Sequence, residues 1–420
     1  MREPLRHRSF RLLFAAQCAS FLGDAIFIVA IAFAVLQVTG SGAALGTVLA
    51  AGGAAMVVTF AVSGVWADRI PRVRIMVTSD IVRLASQSTL AALLLTDTAR
   101  MWHLLVLNVV YSIATAFFMP ARTALMPQLL TADHLVTANG LMGTAENLMW
   151  TTGWAAGGFL VAAIGPGWAI AIDATTFGAS ALLLLVMGGV PLPDRATDVG
   201  GGSFVSELRD GWREVRSRRW IWFTLATATG FLLMYEGPLQ VVGPIVTKAD
   251  YAGARSWGLM LAGAGAGAAL GAVVAASGLL RRPMLVSMWL FLGVALVPAL
   301  LLVQAPVAAV MAAMAIAGMS FGLFTPVWES ALQGGVPSDK LARVSAWDWM
   351  CSLSGMPIGM ALAGWLTEGV GREAVLAGMS IGTFLVCLAF LLEPSVRMID
   401  APGGPAGIGV STRISAGSKD

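Results

Sequence analysis

The chain has 420 residues, of which 57% are hydrophobic and only 12% charged, with a formal net charge of +3. A soluble domain is roughly 25% charged, so this composition excludes a water-soluble globular fold and makes lipid the main solvent. The basic residues sit between apolar runs rather than on one soluble face, which excludes nucleic acid as a partner.

Runs of about 20 apolar residues predict membrane-spanning helices. They fall at 12–38, 43–67, 75–96, 101–121, 137–163 and 167–189, then at 220–246, 256–279, 284–303, 306–327, 342–367 and 372–392. The first run is too long for a signal-peptide core and eleven more follow it, so it reads as a retained span. It carries Asp24 within QCASFLGDAIFIVAIAF, residues 17–33. A charge at the bilayer centre costs at least about 2.5–3.5 kcal/mol on insertion scales, so Asp24 calls for a role or a partner. Span 3 holds Asp80 and Arg83, which read as an i,i+3 neutralisation near its end. The one long polar connection, 190–219, includes FVSELRDGWREVRSRRW. There Phe204, Leu208, Trp212 and Val215 share one helical face, which predicts a short helix on the inner leaflet that tethers two halves. Span 8, GLMLAGAGAGAALG, predicts close helix packing through small residues. The Gly-, Pro- and Ser-rich stretch 396–420 predicts a disordered tail.

Lysine and arginine orient the spans. One side collects Arg6, Arg8 and Arg11, then Arg69, Arg72 and Arg74, Arg122, the basic linker, Arg281, Arg282, Lys340 and Arg343; the other has Arg100, Lys248, Arg255 and Arg372. Both termini and the linker are therefore expected in the cytoplasm, with the chain in the cytoplasmic membrane. Cys18, Cys351 and Cys387 lie singly in apolar runs, so neither a disulfide framework nor a metal site is indicated. No catalytic triad, metal cluster or nucleotide loop appears, and neither enzyme activity nor a cofactor is expected.

The chain also repeats itself. At a spacing of 212, Gly46 matches Gly258, Arg69 matches Arg281 and Pro71 matches Pro283. At 206, FMPARTALMPQLLTADHL matches FTPVWESALQGGVPSDKL, and Gly158 with Gly364 and Gly165 with Gly371 extend the register. Asp24 shifted by 212 lands on Glu236. This predicts two six-helix bundles, 1–189 and 220–395, in an all-α polytopic fold with a midplane site between halves.

The segment Gly64-Val-Trp-Ala-Asp68-Arg69-Ile-Pro71-Arg72-Val-Arg74 resembles the loop signature of the major facilitator superfamily, with Pro71 where glycine is usual. More narrowly, Gln17, Ser20, Gly23 and Asp24 in span 1 resemble the enterobactin-exporter and macrolide-efflux branch. So do Pro120-Ala-Arg122 with Pro127, Leu135-x-x-Ala138-Asn139, and Asp173. The resemblance implies a monomeric secondary transporter working by alternating access. It also implies a gating latch built from Gly64, Asp68, Arg69, Arg72 and Arg122, with Arg122 or Arg343 as partners for Asp68. Span 5 keeps Gly153, Gly157 and Gly158 but lacks the proline that many proton-driven exporters carry, and span 4 lacks their arginine.

A carboxyl removed from water favours its neutral form, which suits a proton carrier. The candidates are Asp24, Glu236, Asp173 and Asp348. Gln17, Glu146, Trp150, Met234, Tyr235, Phe324 and Trp347 are candidate cavity residues, since Met and aromatic walls suit lipophilic ligands. The expected function is export of a small organic molecule of drug, antibiotic or siderophore class, by proton antiport. Import or facilitated movement of a small metabolite is the alternative.

Overall fold

Proline and glycine decide where the apolar runs stop, and the helices follow that punctuation. The computed structural model describes residues 4–67, 70–188 and 204–400. After a short 3-10 turn, the first half consists of α1 (Arg8–Thr39), α2 (Gly42–Ala67), α3 (Arg72–Leu95), α4 (Met101–Leu129) and α5 (Ala132–Met187). The fifth helix is two spans in one: Gly165 takes φ 83° and ψ 165°, and Pro166 follows without an N–H to donate. The linker contributes α6 (Phe204–Ser217).

The second half begins with α7 (Arg219–Phe231), a π-helical turn (Leu232–Glu236) and α8 (Gly237–Asp250), together one span. It continues with α9 (Ala254–Ala276), α10 (Pro283–Val294), α11 (Leu296–Leu302), α12 (Val307–Gly335), α13 (Ser338–Gly369), α14 (Arg372–Leu392) and the short α15 (Pro394–Arg397). Nine helices among the described residues are long and apolar enough to cross a membrane. Two predicted spans miss that measure for local reasons: α3 carries Arg72, Arg74, Asp80 and Arg83, and the seventh span is divided by its π turn. The fold is all-α and polytopic, as the apolar runs predict.

The repeat seen in sequence reappears in backbone geometry. Gly371, 206 residues after Gly165, takes φ 89° and ψ 152° at the start of α14. Each half also ends its third span on a left-handed residue that is not glycine, Asp97 at φ 53° and Gln304 at φ 52°.

Within the first half α5 packs on α1 and α3, and α4 on α2 and α3; within the second, α12 packs on α9 and α10. Two long crossings join the halves, α2 on α13 and α5 on α9. Each has a glycine pair at its closest point. A Cβ on Gly46 would come within 2.6 Å of the Met360 carbonyl oxygen and 2.9 Å of the Gly364 α-carbon. One on Gly158 would meet the Gly258 α-carbon at 2.9 Å. The pairs Gly46–Gly364 and Gly258–Gly158 are repeat images of each other, so one internal symmetry generates both crossings. At the end remote from the chain termini, polar contacts also bridge the halves. Glu368 of α13 accepts from the Ser41 hydroxyl at 2.5 Å and the Ala43 amide at 3.0 Å. Lys248 Nζ donates to the Leu36 carbonyl at 2.9 Å.

The linker helix departs from a free amphipathic helix on the leaflet: it docks on α13. Gly211 lets it sit against the Arg343 backbone, and Trp212 packs on Trp347 with ring centres 4.7 Å apart. Glu214 accepts from Lys340 at 2.9 Å and from Arg218 at 2.8 Å. Order also persists past residue 396, where a disordered tail was expected to begin. Asp400 folds back to accept from the Met284 amide at the start of α10, at 2.7 Å. Residues 401–420 lie outside the described residues.

Candidate functional site

The two halves are built differently inside. In the first, side chains from four spans meet in a charged cluster. Tyr111 of α4 donates to Asp24 of α1 at 2.5 Å, and Arg83 of α3 lies 3.9 Å from the same carboxylate. Arg83 also pairs with Asp80, one turn earlier, and Ser180 of α5 donates to the other Asp80 oxygen at 2.7 Å. The guanidinium sits between two rings, 4.3 Å from Phe118 of α4 and 4.4 Å from Phe177 of α5. A delocalised cation stacks well on aromatic faces, and in a dry interior such contacts are worth about 2 kcal/mol or more. The Asp80–Arg83 pair is therefore the centre of a network that includes Asp24, not an isolated neutralisation.

Asp173 of α5 is wholly buried beside this cluster, and among the described residues neither of its oxygens meets a hydrogen-bond donor. Thr176, one turn on, donates to the backbone carbonyl of Asp173 instead. Gly23 makes the approach possible: a Cβ there would run into the Asp173 carboxylate and the Thr176 hydroxyl. Arg122 and Glu146 pair at 3.3 Å, and Arg122 also donates to buried Gln17 at 3.4 Å. Arg122 is thus engaged within its own half. Arg72 donates to the Ala124 carbonyl at 2.8 Å. Gly64 lies in α2, and Asp68 and Arg69 lie outside the described residues.

The second half holds a cavity of about 390 Å³ among α7, α10, α12, α13 and α14. Its walls carry seven aromatic residues, Phe231, Phe291, Phe321, Phe324, Trp328, Trp349 and Phe390, together with Asp348 and Glu329. The Trp328 indole N–H donates to Asp348 at 3.1 Å, and Phe324 stacks on Trp328 with ring centres 5.9 Å apart. Phe324 and Asp348 of the predicted residues thus line this cavity. Trp347 points instead to the linker helix, because neighbours on a helix diverge by about 100°. Tyr235 is buried against Phe231, Met234 is exposed, and Trp150 packs on Trp154. Glu236 ends the π turn, half-buried, outside the group around Asp24. Tyr111 and Phe291 are the residues that sequence reading passed over. The first had a signal, being one of only three tyrosines in the chain.

Comparison with known proteins places this architecture. The model of the Major Facilitator Superfamily matches residues 13–360. Multidrug efflux pump Tap of Mycobacterium tuberculosis (strain ATCC 25618 / H37Rv) is 28% identical over 411 residues, covering 95% of this chain and 96% of that protein. Macrolide efflux protein A of Streptococcus pyogenes is 23% identical over 407 residues, covering 93% and 97%. Among solved structures, nucleoside transporter NupG superposes with a TM-score of 0.71 at 14% identity, over 91% of this chain and 98% of that one, a likeness of fold.

Proposed function

Because the chain belongs to the major facilitator superfamily, we propose that it exports small organic molecules of the drug and antibiotic class by alternating access, driven by proton antiport. The efflux relatives, which align along almost the whole chain, support the direction and the substrate class. Alternating access is supported by the two glycine-paired crossings, about which two similar halves can rock. With the termini in the cytoplasm, the Glu368 and Lys248 contacts join the halves at the outer face, which fits a transporter closed to the outside.

The observation that carries proton coupling is the composition of the first-half cluster. Asp24 and Asp80 share one guanidinium, Arg83, and Asp173 is buried beside them without a cation of its own among the described residues, so the three acids and this one base are neutral together only when two of the carboxyls hold protons. Bare charge in a dry interior costs several kcal/mol, so gain or loss of a proton here must be answered by a change in exposure. Asp173, with no donor of its own, is the member free to exchange a proton without breaking a hydrogen bond.

The test is flux in proteoliposomes with an imposed pH gradient, using a macrolide and a catecholate siderophore as separate cargoes. Gradient-driven flux is expected to fall at least about tenfold in Asp173→Asn and Asp24→Asn, with passive exchange retained. Flux that ignores the gradient, or is unchanged in both variants, sinks the coupling. Accumulation instead of efflux in cells would establish the importer reading.

A further inference from the structure

The basic run that opens the third span divides its charges between two faces. Arg72 turns inward and donates to the Ala124 carbonyl of α4, whereas Arg74, about 200° further round α3, is exposed. Arg74 stands at one end of a slot of about 400 Å³ between α3 and α4. Thr78 and Ser79, one turn on, are the other polar residues of its wall; the rest is apolar, including Val82 of α3 and Val110 and Ile113 of α4. Among the described residues, no carboxylate pairs with Arg74. The slot faces outward, since Ile81, Val106 and Ile113 around it are exposed, and in a membrane-spanning chain such a surface meets lipid. From Arg74 to Val82 the helix rises about 12 Å, most of the roughly 15 Å depth of one leaflet's hydrocarbon. The second half has no equal: at the spacing of 212, Arg74 falls on Val286 and Thr78 on Leu290.

We propose that this slot binds one anionic phospholipid of the inner leaflet, with an acyl chain between α3 and α4 and the phosphate at Arg74. The proposal goes beyond the export reading and does not depend on it. A guanidinium presents parallel N–H groups that match phosphate oxygens, and the Thr78 hydroxyl one turn deeper is a second donor. A cation without a carboxylate favours a headgroup of net negative charge, because the ammonium of a zwitterionic headgroup finds no acid among the lining residues. The volume lies within the usual ligand range of about 300–1,000 Å³, at its lower end, which suits one chain rather than a whole lipid. Asp80 and Arg83 are buried on the opposite face of α3. A lipid in the slot therefore braces, from the bilayer side, the helix that carries the ionic cluster.

Dioleoyl phosphatidylglycerol and dioleoyl phosphatidylcholine share their acyl chains and differ in headgroup charge. Native mass spectrometry of the purified full-length protein, titrated with each lipid in detergent, is the test. The first phosphatidylglycerol is expected to bind more tightly than the first phosphatidylcholine. Arg74→Gln should weaken it at least about tenfold, the scale of one lost charge contact, while Arg74→Lys stays within about threefold. Ile113→Trp fills the slot from its rim and should remove the first bound lipid whatever its headgroup. Both positions are exposed, so neither change disturbs a core. Arg213→Gln, at an exposed arginine of α6, should leave the first phosphatidylglycerol unchanged. Equal binding of the two lipids, or equal loss in Arg74→Gln and Arg213→Gln, would reduce the effect to diffuse attraction and overturn the site. Displacement of that lipid by a macrolide would overturn it too, by assigning the slot to cargo.

Discussion

The third span of each half puts a side chain between a ring of the fourth span and a ring of the sixth, at positions that the repeat registers do not equate. In the first half that side chain is Arg83, wedged between Phe118 and Phe177 and tied to Asp80 and Asp24. In the second it is Phe291, wedged between Phe324 and Phe390 beside a cavity. A duplicated fold keeps its helix crossings because backbone contact between glycines tolerates no Cβ. It is free to exchange the chemistry inside each bundle, where side chains can be traded as sets. One half holds an ionic network and the other an aromatic-walled cavity, which is the division expected if one handles protons and the other cargo.

Substituting the same residue at both positions breaks the comparison most forcefully. Arg83→Met leaves buried Asp80 without its cation and should cost about 3–5 kcal/mol. Phe291→Met exchanges one apolar side chain for another of similar size and should cost less than about 1.5 kcal/mol. Unfolding by graded sodium dodecyl sulfate in mixed micelles measures both. Comparable losses at the two positions would show that Arg83 serves as packing, and that the first half is not organised around its charge.

Much of this architecture is legible in the sequence because it depends on spacing. The constant registers of 212 and 206 anticipate Gly46 with Gly258 and Gly165 with Gly371, and the latter two adopt the same backbone conformation. Asp24 announces itself as a lone carboxylate in an apolar run. Its partners do not, because they depend on how α1, α3 and α4 rotate about their axes, which a one-dimensional pattern leaves open. Tyr111 and Arg83 stand out by residue type, but nothing in the sequences of their helices says that both reach Asp24. Trp347, Asp348 and Trp349 make the same point on one helix. Residue type marks Trp347 as cavity material and Asp348 as a proton carrier, but Trp347 faces the linker while Asp348 and Trp349 line the cavity. Phe291 is one phenylalanine among 18, and only the packing against Phe324 and Phe390 sets it apart.

The smallest effect concerns the linker, which touches the second half through charges at the water's edge. Glu214 accepts from Lys340 and Arg218, and the Lys340 contact first, then that of Arg218, holds its carboxyl below the ordinary glutamate value. Proton uptake is therefore greater in the undocked linker than in the docked one. The docking contribution is complete above the ordinary glutamate value and is lost as pH falls through the lowered one. Each such exposed pair is worth about 0.2–1 kcal/mol and is screened by salt. Fluorescence of the Trp212–Trp347 contact should thus stay constant from about pH 7 to pH 5 and shift only in the acid range where glutamate titrates. Glu214→Gln should remove that acid step and lower docking slightly at neutral pH. A step that survives in Glu214→Gln would mean that another carboxyl governs docking, whereas no step in the native chain would assign the docking of α6 to its aromatic and backbone contacts with α13 alone.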